Sequence, residues 1–143
     1  MNIVADENIP AAAETFRHLG VVRPVNGRQL AAADLDDADI LLVRSVTAVD
    51  AGLLAGSRVR FVGTATSGTD HIDADYLKQQ GIGFAHAPGA NANSVVEYVL
   101  ATVAALGERL ERLLGGGLVG IVGYGAIGKQ LGAVLRGLGI NYR

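Results

Sequence analysis

The stretch that decides the fold runs from residue 118 to residue 128 and reads LVGIVGYGAIG. An apolar strand, a turn that fits the pattern G-x-G-x-x-G and the start of an apolar helix follow one another here. In such a setting Gly123 permits the tight turn, Gly125 lets the backbone approach a pyrophosphate, and Gly128 lets the helix pack on the strand. The N-terminus of the helix adds free N–H groups and the positive end of its dipole. We therefore predict a dinucleotide-binding turn formed by Gly123, Gly125, Ala126, Ile127 and Gly128.

A second motif overlaps this turn, because Gly123, Gly128 and Lys129 also match the beginning of a P-loop, G-x-x-x-x-G-K. A P-loop next requires Ser or Thr to hold Mg²⁺, and Gln130 stands there instead. The dinucleotide interpretation is therefore favoured over an NTPase. A dinucleotide site also has an acidic residue about 20 residues beyond its first glycine, which binds the adenosine ribose. That count ends at Arg143, so the sequence does not choose directly between NAD and NADP.

Short apolar runs alternate with helical segments along the rest of the chain. The strands are predicted at Asn2–Ala5, Val21–Val25, Ile40–Val43, Val59–Val62, Gly83–Ala87, Leu118–Val122 and Ile140–Tyr142. The helices are predicted at Ala11–Leu19, Asp50–Leu54, Asp73–Gln80, Val95–Leu114 and Ala126–Leu138. This alternation is typical of a parallel sheet covered on both faces, and right-handed crossovers favour a doubly wound order. We predict an α/β fold, with a flavodoxin-like doubly wound sheet over residues 1–92 and the first, incomplete part of a Rossmann NAD-binding domain over residues 93–143.

The helix predicted over Val95–Leu114 is the longest in the chain. Ser94 and Glu97 fit a capping box at its start, in which each side chain bonds a backbone N–H of the other residue. Apolar residues occupy most of the helix circumference, and such a helix is usually buried on more than one side. We therefore expect it to link two packed units or to lie in an oligomer interface.

Composition narrows the class of protein. The chain has 143 residues, of which 50% are hydrophobic and 18% charged, with a formal net charge of −2. Half the residues can enter a core, which excludes global disorder, and the acidic balance argues against nucleic acid or an anionic membrane as partner. No apolar run approaches the ~20 residues that a membrane span needs. With no cysteine and no secretory signal, we expect a cytosolic protein without disulfides or a thiolate metal site.

Small hydrogen-bonding residues follow two of the predicted strands, in the segments 44–47 and 64–70. Ligands of open α/β sheets lie beyond the carboxyl ends of the strands, and hydroxyl, amide and guanidinium groups suit a carboxylate or a phosphate. Ser45 and Thr66 are the preferred substrate contacts, with Arg44 a weaker third. The alternative is that these hydroxyls only cap local turns, and spacing alone does not decide between the two.

Other polar residues have simpler interpretations. His71 and His86 lack a second histidine or carboxylate at the spacing of metal ligands, so no metal site is predicted. Asp6 and Glu7, at the end of the first strand, are expected to cap the helix that follows.

Taken together, these segments resemble the D-isomer-specific 2-hydroxyacid dehydrogenases. The resemblance is carried by ADENIP (5–10), LVRSVT (42–47), FVGTATSGTDH (61–71), GIGF (81–84), APGANA (87–92), VVEYV (95–99) and VGIVG (119–123). It covers nearly the whole chain, and the combination of motifs is specific.

The resemblance implies a substrate domain over residues 1–92 and a cofactor domain that starts near Ala92. It implies NAD-linked oxidation of a small phosphorylated 2-hydroxy acid to the 2-oxo acid, in a homodimer. Because of its apolar circumference, we expect the helix 95–114 to form the interface of this homodimer. The substrate contacts of the family fall on Ser45 and Thr66. The Arg, Glu and His that such enzymes use for carboxylate binding and proton transfer have no counterpart within residues 1–143, so we expect no catalytic residue here and no turnover by this chain alone.

Three other interpretations remain open. The acidic residues Asp6 and Glu7 suggest a flavodoxin-like signalling receiver, but Arg44 and Ser45 stand where its acceptor Asp would end the third strand. A closer rival is another 2-hydroxyacid dehydrogenase, for example one that acts on phosphoglycerate. The third is a non-catalytic interaction module that uses the apolar helix after Ser94.

Overall fold

The computed structural model describes residues 1–143, which form two compact units, Met1–Pro88 and Gly89–Arg143. The first unit contains five strands: β1 (Asn2–Asp6), β2 (Val21–Val25), β3 (Ile40–Val43), β4 (Phe61–Thr64) and β5 (Gly83–Ala85). Its helices are α1 (Ala12–Phe16), α2 (Ala51–Leu54) and α3 (Ala74–Gln79), together with a 3₁₀ turn over Ala32–Leu35. Strands and helices thus alternate as the sequence predicts.

The five strands form one parallel sheet in the order β2-β1-β3-β4-β5. This is the doubly wound order of flavodoxin-like proteins, with a switch of direction between β1 and β3. The predicted fold class is confirmed. Because all the strands run the same way, the segments that follow them emerge at one edge of the sheet.

The core of this unit lies on both faces of the sheet, since successive residues of a strand point to opposite sides. On one face, Val4, Leu41 and Val43 belong to a cluster that also takes in residues from α2, α3 and the 3₁₀ turn. On the other face, Ile3, Ala5 and Leu42 pack with Ala12 of α1 in a smaller cluster. The largest fully buried side chains are Ile3, Leu35, Leu41, Leu77, Val4, Val43, Val49 and Val62.

The second unit contains helices α4 (Ala92–Ala105), α5 (Gly107–Leu114) and α6 (Ala126–Gly137) and strands β6 (Leu118–Val119) and β7 (Asn141–Tyr142). The two strands pair in parallel. Its buried apolar side chains are few: Ala92, Val96, Leu135 and Ile140.

The single helix predicted over residues 95–114 is wrong in three respects. The helix starts earlier, at Ala92, because Ala92 and Val96, one turn apart, form the first buried part of its apolar face. Ser94 lies inside the first turn, so the predicted capping box does not form. The helix is also broken at Leu106, whose ψ of 54° is not helical, immediately before the poor helix former Gly107.

The burial expected for that helix is not observed in this chain either. Tyr98 of α4 is 73% exposed, and Leu114 at the end of α5 is 63% exposed. Of α4 and α5 only Ala92 and Val96 are buried. No helix of the chain is long and apolar enough to cross a membrane.

The expected cap of the first helix is also wrong. Asp6 is 2% exposed, and its Oδ1 accepts a hydrogen bond from the Asn8 backbone N–H at 2.8 Å. Glu7 accepts one from Asn26. Helix α1 is instead preceded by Ala11, in the left-handed conformation with φ 55°, and has no side-chain cap. The Asp6 carboxylate therefore stabilises the turn after β1 and not the helix.

Candidate functional site

Ser45 and Thr66 lie at the same edge of the first sheet. Val43 and Thr64, the last residues of β3 and β4, are register partners, and the Ala65 N–H donates to the Val43 carbonyl oxygen at 2.9 Å. Ser45 and Thr66 each come two residues after a member of that pair. The structure therefore brings both predicted substrate residues to the carboxyl ends of neighbouring strands, where parallel sheets bind ligands.

The hydroxyl of Thr66 belongs to a hydrogen-bonded network. Its Oγ1 lies 2.8 Å from Oγ1 of Thr64 and donates to the Gly68 carbonyl oxygen at 3.0 Å. Oγ1 of Thr64 in turn lies 3.0 Å from Nε2 of His71. Thr64 is 5% exposed, whereas Thr66 is half-buried. The exposed end of the network is therefore the hydroxyl predicted to meet a substrate.

Burial lowers the pKa of His71, and the neighbouring Asp70 carboxylate opposes part of this effect. Because the ordinary pKa of histidine is about 6.5, the His71 ring is neutral at pH 7. The second histidine of this edge, His86, stacks on Phe84 with 5.8 Å between ring centroids, and its Nδ1 lies 3.3 Å from the Ser67 carbonyl oxygen. The His86 ring thus contacts the backbone of the loop 65–71, whereas the His71 ring contacts the side chain of Thr64 at the strand end.

Arg44 supplies positive charge at this edge. It follows β3 directly and is partly buried, and none of the salt bridges of the chain includes it. A guanidinium that is not committed to a carboxylate remains available to an anionic ligand.

The loops after β2 and β3 come together at the carboxyl end of β1. Thr47, after β3, donates its hydroxyl proton to the carbonyl oxygen of Gly27, after β2, at 2.8 Å. A Cβ on Gly27 would lie 2.3 Å from Oδ2 of Asp6, and this buried oxygen has no hydrogen-bond partner. The loops after β2 and β3 therefore contact each other next to Asp6, at the point where the strand order reverses.

The first unit also has an apolar groove of about 350 Å³, whose lining includes Phe16, Leu42 and Phe61. Its only polar side chains are Thr64 and His86. Such a lining does not match a small polyanion, so the groove is not the candidate substrate site.

The glycine turn of the second unit has the geometry that a pyrophosphate needs. Gly123 has φ +91°, which favours glycine, and a Cβ at Gly125 would meet no atom within 4 Å. A Cβ at Gly128 would lie 2.3 Å from the Gly123 carbonyl oxygen, so helix and turn touch only because this residue has no side chain. The three glycines thus show the three properties of a dinucleotide turn.

The N-terminus of α6 faces this turn without a side-chain cap, since Gly125 stands at the cap position. The first amides of a helix have no carbonyl partner within it. The amides of Ala126, Ile127 and Gly128 are therefore placed to bind the oxygens of a diphosphate, and the residues present fit the diphosphate of a dinucleotide. No cluster of three His, Asp or Glu residues suited to a metal ion occurs in the chain.

Comparison with known proteins identifies the class to which this geometry belongs. Residues 3–115 match the family model described as D-isomer specific 2-hydroxyacid dehydrogenase, catalytic domain. The chain therefore belongs to the D-isomer-specific 2-hydroxyacid dehydrogenase family, and the resemblance inferred from its motifs is confirmed.

Individual relatives of the chain carry a narrower description than the family model. The chain is 54% identical over 141 residues to the erythronate-4-phosphate dehydrogenase of Cronobacter sakazakii, and 55% identical over 139 residues to that of Azotobacter vinelandii. These alignments cover 99% and 97% of the chain but 37% of each relative. The chain thus spans little more than a third of the length of the relatives that it matches.

Solved structures share the fold. D-lactate dehydrogenase from Aquifex aeolicus, complexed with NAD and lactic acid, superposes with a TM-score of 0.75 at 20% identity, over 99% of this chain and 50% of that one. The NAD⁺-bound 3-phosphoglycerate dehydrogenase of Entamoeba histolytica gives 0.73 at 24% identity, over 100% and 53%. At these identities the comparison supports the fold.

Sequence reasoning missed the parts played by Thr64 and His71. From the sequence alone, His71 is considered only as a metal ligand, and Thr64 is one of several hydroxyls in the segment 64–70. The signal available in the sequence was a threonine that ends an apolar strand, where its side chain is buried and needs a partner. Which partner it finds depends on the path of the loop 65–71, which spacing does not reveal.

Proposed function

We propose that this chain forms the substrate-binding unit and the beginning of the NAD-binding unit of an erythronate-4-phosphate dehydrogenase. The reaction is the oxidation of the 2-hydroxyl of 4-phospho-D-erythronate to a ketone, a step of pyridoxal phosphate biosynthesis. NAD, when bound, accepts the hydride of the substrate C2, and the hydroxyl proton leaves to a base. The domain boundary falls near residue 92, close to the boundary between the two compact units.

The observation that carries the proposal is the position of Ser45 and Thr66 at the ends of neighbouring strands. Their hydroxyls, with the guanidinium of Arg44, form a set of donors suited to a carboxylate or phosphate. The identity above 50% to proteins named erythronate-4-phosphate dehydrogenase supports this substrate over others of the family.

The substrate assignment is tested by isothermal titration of the 143-residue chain with 4-phospho-D-erythronate, erythronate and 3-phosphoglycerate. We expect the first to bind most tightly and erythronate to bind weakly, because it lacks the phosphate. Tighter binding of 3-phosphoglycerate would favour a phosphoglycerate dehydrogenase. Binding of none of the three would contradict a substrate site formed by Ser45, Thr66 and Arg44 in this chain.

The cofactor assignment is tested by a pair of glycine variants. Gly125→Val places its side chain in open space, so we expect an unchanged melting temperature and a loss of NAD affinity. Gly128→Ala should lower the stability of the second unit as well, because its Cβ meets the Gly123 carbonyl oxygen. Unaltered NAD affinity in Gly125→Val would contradict the proposed cofactor site.

Inactivity of the isolated chain is part of the proposal. Nε2 of His71 is occupied by Thr64, and the ring of His86 stacks on Phe84, so neither histidine is placed as a free acid–base group for a substrate. With 4-phospho-D-erythronate and NAD, we expect the absorbance of the reduced nicotinamide to stay at background. Turnover would show that the chain already holds the essential groups.

The proposed homodimer uses the segment 95–114. Its support is the set of apolar side chains that α4 and α5 leave exposed, Tyr98, Leu106 and Leu114. Light scattering should give the mass of a dimer for the chain and of a monomer for the variant Tyr98→Glu. A monomeric wild-type chain would contradict this proposal.

A further inference from the structure

The contacts of Thr64, Thr66 and His71 permit only one arrangement of protons. The Gly68 carbonyl oxygen can only accept, so the Thr66 hydroxyl donates to it at 3.0 Å. The 2.8 Å contact between the two threonine oxygens therefore uses the proton of Thr64. A hydroxyl has a single proton, so the Thr64 oxygen must accept at its second contact. The donor there is Nε2 of His71, at 3.0 Å.

Thr64 is 5% exposed, so little solvent reaches its hydroxyl to replace either partner. A buried hydroxyl that loses a partner is costly. The hydrogen bonds of the network therefore run from the His71 ring to Thr64 and from Thr64 to Thr66. This direction is set by the tautomer of His71, that is, by which ring nitrogen carries the hydrogen.

We propose that His71 is a positioning residue for the substrate contact Thr66, acting through Thr64. With hydrogen on Nε2, His71 keeps Thr64 as a donor to Thr66, and Thr66 always retains its own proton for a ligand. The inference rests on the proposed function, in which Thr66 binds an anionic oxygen of the substrate.

Ligand binding then needs only a rotation of one hydroxyl. The Thr66 O–H turns from the Gly68 carbonyl oxygen to a carboxylate or phosphate oxygen, and the hydrogen bond from Thr64 polarises it further. Without an N–H at position 71, Thr66 can donate back to the Thr64 oxygen. The proton is then withdrawn from the ligand.

The charge of His71 is not required for this role. The ring is neutral at pH 7, since burial lowers its pKa. The property that matters is the tautomer, which two-bond proton–nitrogen NMR reports directly on the ¹⁵N-labelled 143-residue chain.

The first experiment therefore measures the His71 tautomer without ligand. We expect hydrogen on Nε2 in the wild-type chain and a loss of this strong preference in Thr64→Val, which removes the acceptor. A His71 ring with hydrogen on Nδ1 in the wild-type chain overturns the inference, whatever the substrate is.

The second experiment measures the affinity for 4-phospho-D-erythronate in four chains. His71→Leu should weaken binding roughly 2- to 10-fold, the value of one ordinary hydrogen bond. His71→Gln, whose amide N–H can replace the Nε2–H, should restore most of it. The control His18→Leu changes an exposed histidine of the same unit and should bind like the wild type.

The outcomes separate the two proposals. A wild-type chain that binds no phosphorylated hydroxy acid overturns the proposed function and this inference with it. Normal binding by His71→Leu, or a His71→Gln chain as weak as His71→Leu, overturns the inference alone. Circular dichroism of each variant distinguishes weak binding from failure to fold, and the decisive tautomer measurement is made on the wild-type chain.

Discussion

The two compact units differ in how much apolar surface each covers with its own residues. In Met1–Pro88, five paired strands have buried clusters on both faces. In Gly89–Arg143, two strands of two residues each form the whole sheet, and four apolar side chains are buried. The comparison shows that the glycine turn adopts its expected geometry although the unit that contains it buries few apolar side chains.

The largest expected effect comes from separating the units. We expect residues 1–88 alone to unfold cooperatively in urea, and residues 89–143 alone to show no cooperative transition, because a two-stranded sheet is marginal in water. Fluorescence is of little use in a chain without Trp, so far-ultraviolet circular dichroism should follow both. A cooperative transition in residues 89–143 would contradict the expected difference in stability between the two units.

The next effect compares one leucine in each unit. Leu41 is 0% exposed in the larger cluster, so Leu41→Ala should lower the free energy of unfolding by about 2–5 kcal/mol. Leu135→Ala should cost less, because fewer buried side chains surround this residue. The control is Leu138→Ala, at a residue 54% exposed. Equal losses at Leu41 and Leu135 would mean that the two cores are equivalent.

A pair of glycines sharpens the same contrast. In the first unit a Cβ on Gly27 meets Oδ2 of Asp6 at 2.3 Å and Oγ1 of Thr47 at 2.9 Å, so Gly27→Ala should destabilise by about 1–3 kcal/mol. In the second unit Gly137 lies in the last turn of α6 with nothing within 4 Å of its Cβ. Gly137→Ala should therefore stabilise slightly. Thermal unfolding of both variants checks the opposite signs.

The smallest effect concerns the opposite edge of the first sheet. The backbone N–H of Asn2 at 2.9 Å, with Arg60 and Arg58, lowers the pKa of Asp39 below its ordinary 3.8. A lowered pKa gives a contribution to stability that is complete above the ordinary value and is lost as the pH falls through the lowered one.

Asp39→Asn should therefore reduce stability slightly at neutral pH, and the difference from wild type should vanish in strong acid. Urea unfolding at several pH values checks this. The exposed Asp36→Asn serves as control, and a difference that grows on acidification would have the wrong sign.

The order of the elements could be read from the sequence because each strand is a continuous apolar run between turn residues. The bounds of β2 and β3 are as predicted. The strand β4 is displaced from the predicted Val59–Val62 to Phe61–Thr64, because an apolar run does not distinguish a strand from the buried segment that leads into it. Similarly, β6 is shorter than predicted, because its partner strand β7 pairs with only two of its residues.

The candidate site was predictable only in part. Ser45 and Thr66 followed from the rule that ligands lie beyond the carboxyl ends of strands, and they remain predictions as substrate contacts. The link from Thr66 to His71 could not be foreseen, because it depends on how the loop 65–71 returns to the strand end. The break at Leu106 is not predictable from the apolar periodicity, because this periodicity continues across Leu106 although the helical conformation of the backbone does not.

The contact of Thr47 with Gly27 has a consequence for where a ligand can settle in the first unit. In doubly wound sheets the natural crevice is the one where strand order reverses, here between β1 and β3. At that crevice Thr47 contacts Gly27, and Gly27 lies against the Asp6 carboxylate. Under the proposed function, a ligand bound by Ser45 and Thr66 therefore lies beside this contact, on the side of β4.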